Sequence, residues 1–276
     1  MLRYDLHCHS TWSDGVLAPA DVVRRAAERK VDVLALTDHD EMGGVAEARD
    51  AAADSGVKFV AGTEISVSYL THTIHVLGLG VDADNPALLE GLKSVRHGRD
   101  DRARRMGESL ARAGIAGAYE GALTYAGNVS LLSRTHFARF LVDRGHVHDT
   151  HACFKRFLVP GKPGYVEHVW ADLPDAIGWI HGAGGLAVLA HPGRYRVTAT
   201  GMRKLLDTFR DAGGDGIEII SSSHTPEQFG EYAALARVYG FKGSVGSDFH
   251  APGESWLDLG DSPPLPEGVT PIWNDW

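Results

Sequence analysis

Cysteine is scarce in this chain of 276 residues, which contains only Cys8 and Cys153. Two cysteines so far apart do not indicate the disulfide framework of a small secreted domain. Long apolar runs are also missing: no stretch approaches the roughly 20 residues of a membrane-spanning helix, and no basic segment followed by an apolar one opens the chain. We therefore expect a soluble protein of the reducing cytoplasm.

Basic residues are outnumbered, since 27 Lys and Arg stand against 36 Asp and Glu and the formal net charge is -9. Binding of long duplex nucleic acid depends on neutralising phosphates with Lys and Arg, so an acidic chain is poorly suited to it. A local cationic pocket for a small phosphorylated molecule is compatible with this charge. The apolar fraction of 43% is ordinary for a globular protein with a core of normal size.

Histidine, by contrast, is abundant, with 15 residues. The segment RYDLHCHSTWSDG places His7 and His9 two residues apart in a predicted strand, so both side chains lie on one face. Cys8 points to the other face, where we expect a small buried side chain. For this pair alone, a metal site and two ordinary hydrogen-bonded histidines are both open.

Short apolar segments alternate with amphipathic helical patterns along the chain. The predicted strands are YDLHCHS, VDVLALTDH, VKFVAGTEIS, TIHVLGLG, GGLAVLAHP, DGIEII and KGSVGSDFH. This alternation is typical of parallel βα units. It predicts an α/β fold with a barrel one unit short of eight.

The region 86–165 interrupts this rhythm, because it contains an Arg-rich helical pattern and a second helix in SRTHFARFLVDRG, with Ser133 as its N-cap, but no strand. We predict a barrel made of residues 1–85 and 166–276, with a helical insertion at 86–165 over one end. The C-terminal PPLPEGVTPIWNDW is expected to lie on the barrel as an irregular tail.

Polar residues stand at the ends of the predicted strands, where barrel enzymes carry their catalytic groups. They are His7, His9, Asp14, His39, Glu64, His75, His191, Asp248 and His250. Any one of these histidines alone is explained by a structural hydrogen bond. Six histidines and three carboxylates at matching strand ends predict a metal centre.

The ordered motifs HCHS, TDH, GTE, AHP and SDFH resemble those of the PHP (polymerase and histidinol phosphatase) family over most of the chain outside the insertion. The resemblance implies a distorted (β/α)7 barrel and three divalent ions. It implies His7, His9, Glu64 and Asp248 on one ion, Glu64, His75 and His191 on a second, and Asp14, His39 and His250 on a third. Imidazole and carboxylate ligands suit Mn, Zn, Fe or Co, and the family favours Mn.

Such a cluster is suited to a phosphate ester, because two ions about 3.5–4 Å apart generate a hydroxide and neutralise phosphoryl oxygens. Phosphoester hydrolysis by a metal-bridging hydroxide is thus the expected reaction. Asp38, next to the ligand His39, is expected either to orient a ligand histidine from outside the metal shell or to cap the following helix.

A second set of cationic residues predicts another phosphate site, formed by Arg134, Lys162, Arg194 and His224. Arg139 falls on the opposite side of its helix from Arg134, where we expect a solvated residue. Tyr165 or Tyr195 is expected to stack on a base or to pack between cap and barrel. His224 is also a candidate general acid.

The segments RTHFAR, KPGYV and HPGRY resemble those of a PHP subfamily of 3′,5′-nucleoside bisphosphatases and 5′-to-3′ oligoribonucleases. This resemblance implies that the 5′-phosphate of a nucleotide occupies the cationic site while the phosphorus at its 3′ oxygen is attacked. The expected partners are small nucleotides or short 5′-phosphorylated RNA, with no duplex DNA and no membrane. The native metal, the base preference and the oligomeric state stay open.

Three alternatives differ in what they leave unexplained. A histidinol-phosphate phosphatase acts on one phosphate and gives the second cationic set no partner. A metal-dependent amidohydrolase commonly uses a carboxylated lysine where this chain has Glu64. A non-catalytic PHP module is expected to have lost ligands, and this sequence has lost none.

Overall fold

Seven strands form one sheet in chain order in the computed structural model, which describes residues 2–276. They are β1 (Tyr4–Asp5), β2 (Val33–Leu36), β3 (Lys58–Tyr69), β4 (His72–Leu79), β5 (Leu186–Leu189), β6 (Gly216–Ile220) and β7 (Lys242–Val245). The first and last strands meet, since the N–H of Leu6 donates to the carbonyl of Val245 at 3.0 Å and Cys8 bridges to Phe249. The predicted seven-stranded α/β barrel is confirmed.

The pattern of parallel βα units does not extend to β4, which runs antiparallel to both β3 and β5. Only two residues separate β3 from β4, and that is too few for the crossover that parallel strands need. Leu70 makes this tight turn with a φ of 52°. As a consequence, His75 reaches the active-site end from the first half of β4, opposite Ser66 in register.

Apolar side chains fill the barrel and the space between the sheet and its helices. The outer helices are α1 (Pro19–Glu28), α2 (Val45–Ser55), α3 (Pro86–Arg96), α8 (Leu173–Gly182), α9 (Ala199–Asp211) and α10 (Pro226–Tyr239). Leu6, Leu77, Val188 and Ile272 belong to the cluster inside the barrel. Ile272 comes from the C-terminal tail, and the next residue, Trp273, stacks on Tyr4 with ring centroids 3.9 Å apart. The tail therefore lies on the barrel, as expected.

The helical insertion has an apolar core of its own. It contains α4 (Arg99–Arg112), α5 (Ala118–Leu123), α6 (Arg134–Asp143), α7 (Thr150–Cys153) and a π-helical turn (Phe154–Leu158). Met106, Leu110, Phe137 and Leu141 belong to this second core.

Helix α3 belongs with the barrel, although the predicted insertion begins at residue 86. Its residues Leu88, Leu92 and Val95 are part of the main core. Gly91 allows α3 to approach α8, because a Cβ there would lie 2.4 Å from the indole of Trp179. We therefore use the name cap for residues 99–165. Among the described residues, no helix has the length and apolar character needed to cross a membrane.

Candidate active site

The strand ends bring all nine predicted ligand residues to one place. His7 and His9 follow β1, Asp14 lies in the loop beyond them, His39 follows β2, Glu64 and His75 lie in β3 and β4, His191 follows β5, and Asp248 and His250 follow β7. The nine side chains are at most 16% exposed, so water is largely excluded. Two ligands also have positive φ, 27° at His191 and 53° at Asp248. Residues other than glycine rarely adopt this conformation, and it is often found at functional sites.

Four overlapping groups of side chains offer ligand atoms within 4.8 Å of one another. They are His9, Asp14, His39 and His250; His7, His9 and Asp248; His7, Glu64 and His191; and His39, Glu64 and His75. Glu64 is central, with Oε1 at 2.8 Å from Nδ1 of His75 and 2.9 Å from Nε2 of His191. This grouping differs in part from the implied ligand sets, because His9 is also grouped with Asp14 and His39 is also grouped with Glu64.

The carboxylates of this cluster fit divalent cations. Asp14 Oδ1, Glu64 Oε2 and Asp248 Oδ1 are buried and make no hydrogen bond among the described residues, although imidazole nitrogens lie 3.2, 2.8 and 3.3 Å from them, respectively. Leaving such an oxygen buried without a partner is costly, and a cation removes that cost. The mixed nitrogen and oxygen donors suit Mn, Zn, Fe or Co.

Protons occupy part of this cluster when no cation neutralises it. Burial opposes the charge of Glu64, but the imidazoles of His75, His39 and His7 hold its pKa well below the usual range. Burial also acts to lower the pKa of His250, but Asp14 raises it to about 9. Metal ions and protons therefore compete for the same atoms.

Glu218 contacts two of the predicted ligand residues from behind, and it was not among the residues predicted for the site. Its Oε1 lies 3.1 Å from Nδ1 of His7, and its Oε2 accepts a hydrogen bond from the N–H of His191 at 2.7 Å. The side chain is fully buried in β6. The available signal was a glutamate inside the otherwise apolar strand DGIEII.

Two other neighbours have structural roles. Asp38 accepts hydrogen bonds from the hydroxyls of Ser10 at 2.6 Å and Ser13 at 2.5 Å. Ser13 in turn lies 3.4 Å from Nδ1 of His9, so the Asp38 side chain reaches His9 through Ser13, while the Asp38 carbonyl accepts from the N–H of Glu64 at 3.2 Å. The hydroxyl of Tyr195 accepts from the N–H of His75 at 2.9 Å and donates to a backbone carbonyl. This fixes Tyr195 behind the ligands, so its predicted role as a base-stacking platform is not supported.

A cleft beside the metal-ligand cluster is strongly cationic. It is lined by the ligands Asp14, His39, His75 and His250 and by the arginines Arg99, Arg102, Arg134 and Arg194. Burial and the neighbouring guanidiniums of Arg134 and Arg99 lower the pKa of Arg102 to about 9. Arg102 and Arg134 have no ion-pair partner among the described residues, and their side chains donate hydrogen bonds to the carbonyls of Val166 and Leu158, respectively. An anion would compensate these charges.

Two of the four residues predicted for a second cationic site line this cleft, and two do not. Arg134 and Arg194 line the cleft together with metal ligands. Lys162 is exposed in a turn and does not line it. His224 is buried, with one ring nitrogen accepting from the N–H of Gly193 and the other donating to the carbonyl of Ile219, both at 2.9 Å. His224 therefore has no free nitrogen for a substrate or for acid catalysis.

Arg99 and Arg102 line the cleft and supply the positive charge that was predicted to come from Lys162 and His224. They stand three residues apart on one face of α4, where both guanidiniums pack over the ring of Trp170. Arg99 pairs with Asp40. The signal was present in the segment RDDRAR, but the sequence alone does not say which face of α4 meets the barrel.

Arg139 is buried and not solvated, contrary to the prediction. Its guanidinium donates to Glu254 at 2.8 and 2.9 Å and to the carbonyl of Asp14 at 2.7 Å. Ser133 caps α6 as predicted, with its hydroxyl accepting from the N–H of Thr135 at 3.0 Å. Helix α6 therefore contacts the barrel on two sides, with Arg134 on the cleft and Arg139 on the loop after β7.

Comparison with known proteins places this geometry in a family. A model of the PHP domain matches residues 5–157. The chain is 53% identical over 275 residues to the 3′,5′-nucleoside bisphosphate phosphatase of Chromobacterium violaceum, covering 100% of this chain and 96% of the relative. It is 44% identical over 271 residues to a 5′-3′ exoribonuclease of Haemophilus influenzae, covering 98% of each.

A solved structure from Chromobacterium violaceum, described as an amidohydrolase with bound sulfate and no metal, is similar throughout. It is 53% identical, with a TM-score of 0.96 over 99% of this chain and 95% of that chain. The curated relatives are named for phosphoester cleavage. The chain therefore belongs to the PHP domain family, as a relative of phosphoester hydrolases.

Proposed function

We propose that this protein hydrolyses the 3′-phosphate of nucleoside 3′,5′-bisphosphates, such as adenosine 3′,5′-bisphosphate, to a 5′-mononucleotide and phosphate. The same site would release 5′-mononucleotides from short 5′-phosphorylated RNA in the 5′-to-3′ direction. The observation that carries the proposal is one cleft lined by both metal ligands and four arginines. A substrate with two phosphates matches these two anion-binding features. The names of the two relatives, a bisphosphate phosphatase and a 5′-3′ exoribonuclease, agree with it.

The nine ligand residues are proposed to hold three divalent ions, with Mn as the first choice. Such ions supply a nucleophile from water near neutral pH and positive charge for the oxygens of the transferred phosphoryl group. The ligand side chains are proposed to orient these ions at the bottom of the cleft. Glu218 and Tyr195 hold His7, His191 and His75 in place for that role.

Arg99, Arg102, Arg134 and Arg194 are proposed to bind the 5′-phosphate through charge-assisted hydrogen bonds. Anchoring this phosphate places the first 3′ ester of the substrate at the metal ligands. A terminal 3′-phosphate and an internucleotide phosphate then react in the same position. The cap forms one wall of the cleft through Arg102 and Arg134. We further propose that the protein is cytoplasmic and acts on small nucleotides and RNA ends.

The alternatives account for less of the site. Histidinol phosphate has a single phosphate and leaves Arg102 and Arg134, which have no carboxylate partner among the described residues, without an anion. A metal-dependent amidohydrolase has no use for such arginines either, and Glu64 stands where these enzymes commonly use a carboxylated lysine. A non-catalytic module would not need the complete set of ligands.

Phosphate release from adenosine 3′,5′-bisphosphate by the Mn-loaded protein tests the proposal. Adenosine 3′-monophosphate and histidinol phosphate serve as parallel substrates for phosphate release. Ring opening of a cyclic amide and mononucleotide release from RNA trinucleotides with and without a 5′-phosphate are measured separately by chromatography of the products. We expect the bisphosphate and the 5′-phosphorylated RNA to be preferred. Equal kcat/KM for the bisphosphate and the 3′-monophosphate would contradict a site for the 5′-phosphate, and preference for the amide would overturn the reaction class.

A further inference from the structure

Helix α6 of the cap holds a metal-ligand residue in two ways. The hydroxyl of Ser133, at the start of α6, donates to Oδ2 of Asp14 at 2.8 Å. Arg139, two turns further along, donates from Nη1 to the backbone carbonyl of Asp14 at 2.7 Å. The cap thus fixes both the side chain and the backbone of this residue.

Arg139 also reaches the loop that carries a second ligand. Its Nε and Nη2 donate to the two carboxylate oxygens of Glu254 at 2.8 and 2.9 Å. Glu254 follows His250 by four residues, and its N–H donates to the carbonyl of Ala251. Bidentate pairs of this kind constrain orientation strongly. The Arg139 side chain is only 8% exposed, so its guanidinium is shielded from solvent, whereas the Glu254 side chain is 25% exposed.

The two clamped loops meet in a single metal-ligand group. Asp14 and His250 both belong to the group of His9, Asp14, His39 and His250, and to none of the other three. Asp14 Oδ1 makes no hydrogen bond among the described residues, and it lies 3.2 Å from Nε2 of His250, another atom of the same group. Helix α6 therefore binds one oxygen of Asp14 and leaves the other free for a cation. Hydrogen bonds of this type orient metal ligands and raise metal affinity.

We propose that α6 is a clamp that sets the affinity of the ion bound at the Asp14 group. Ser133, Arg139 and Glu254 are positioning residues in this view, since they act through Asp14 and the His250 loop. By thermodynamic reciprocity, binding of that ion stabilises the docked position of α6 on the barrel. The inference rests on the metal centre of the proposed function and adds a coupling between one ion and the cap.

Metal content at a series of free Mn concentrations tests the clamp, in the wild type and in Arg139→Ala, Glu254→Ala and Arg112→Ala. Arg112 is an exposed arginine of the same cap and serves as the matched control. We expect Arg139→Ala and Glu254→Ala to weaken one ion per chain about 10- to 100-fold and to leave the remaining ions unchanged. Arg112→Ala should match the wild type.

Hydrogen exchange of the α6 backbone provides a readout that does not depend on activity. Mn should slow exchange in α6 of the wild type and have much less effect in Arg139→Ala. Unchanged affinity for every ion in Arg139→Ala, or α6 exchange that is insensitive to Mn in the wild type, would overturn the clamp while leaving the metal centre intact. A wild-type protein that binds no divalent ion would overturn both.

A less disruptive variant, Ser133→Ala, tests the clamp if Arg139→Ala does not fold. Ser133→Ala removes the hydrogen bond to Asp14 together with the N-cap of α6. Thr198→Ala, which removes the N-cap hydrogen bond of α9 to Gly201, controls for the loss of a cap. Weaker binding of one ion in Ser133→Ala but not in Thr198→Ala is the expected result, and equal metal binding in both would overturn the inference.

Discussion

Glu218 joins two metal-ligand residues from different strands, with one oxygen 3.1 Å from Nδ1 of His7 and the other accepting from the N–H of His191 at 2.7 Å. Replacing it by Gln puts an amide NH₂ where one of these oxygens was. We expect Glu218→Gln to weaken metal binding about 10- to 100-fold. Leaving the buried N–H of His191 without an acceptor would cost a further ~1–3 kcal/mol of stability.

Metal titration and urea unfolding of the metal-free protein separate these two effects of Glu218→Gln. Glu231→Gln on α10 is a suitable control for the same change in charge, because Glu231 has no ion pair or side-chain hydrogen bond among the described residues. Metal affinity equal to that of the wild type would show that Glu218 does not orient the ligands.

Arg134 lines the cleft with the metal ligands and has no carboxylate partner among the described residues. A hydrogen bond to a charged group contributes about 1.5–3 kcal/mol, so Arg134→Ala should lower kcat/KM for adenosine 3′,5′-bisphosphate by roughly 10- to 100-fold. The rate on adenosine 3′-monophosphate should change little, since this substrate lacks the 5′-phosphate. Steady-state kinetics on both substrates, with Arg112→Ala as control, check this. A loss of equal size on both would assign Arg134 a general structural role.

The clustering of the predicted ligand residues could be anticipated because most of them belong to short motifs at strand ends, although Asp14 lies in a loop and His75 lies within β4. A strand end fixes both where the side chain stands and which neighbours it meets, as with His39 after β2 and Glu64 in β3. Even here, the hairpin between β3 and β4 was missed. The pattern of apolar residues in TIHVLGLG is the same in a parallel and in an antiparallel strand, and only the two-residue turn at Leu70 distinguishes them.

The arginines of the cleft were harder to predict, because they depend on how the cap docks. Because Arg99 and Arg102 stand three residues apart in a helix, the sequence shows that they share one face of α4. It does not show that this face meets Trp170 and the cleft. Arg139 was misplaced for the same reason. A helical wheel places Arg139 on the opposite side of α6 from Arg134. It does not show that this side also contacts the barrel, at Glu254.

Arg99 and Asp40 form a buried ion pair in the wall of the cleft. Asp40 also accepts from the N–H of Ser66 at 2.7 Å and adopts a φ of 49°, a conformation that Asn tolerates well. Asp40→Asn should therefore keep the backbone but leave the Arg99 guanidinium buried with its charge unpaired. Breaking such a pair costs about 3–5 kcal/mol.

Urea unfolding at neutral pH measures this loss. Asp100→Asn is the matched control, since Asp100 pairs with Arg104 on the exposed side of the same helix, with both side chains more than half exposed. Surface pairs of this kind contribute about 0–1 kcal/mol. Equal losses in the two variants would mean that the Arg99 pair contributes no more than a surface pair.

His136 makes the protein sensitive to acid in a defined pH range. It is buried at the start of α6, where Nδ1 accepts from the N–H of Ser133 at 3.0 Å. Burial, with a smaller contribution from Arg139, lowers its pKa from 6.5 to about 4, although Asp14 acts in the opposite direction. Between these values the unfolded chain binds the proton and the folded protein does not. Stability is therefore fully present above pH 6.5 and is lost as the pH falls toward 4, by up to ~3 kcal/mol.

The variant His136→Gln tests this dependence because Gln also fits the third helical position, where its side-chain oxygen can accept from the Ser133 N–H, and it does not titrate. Unfolding free energies of the metal-free wild type and variant, measured from pH 7 to pH 4, should diverge as the pH falls. The variant should lose less stability than the wild type as the pH falls. The difference should be confined to the pH range between about 6.5 and 4, because the other buried histidines are common to both proteins. Parallel curves would mean that His136 is protonated equally in the folded and unfolded chains.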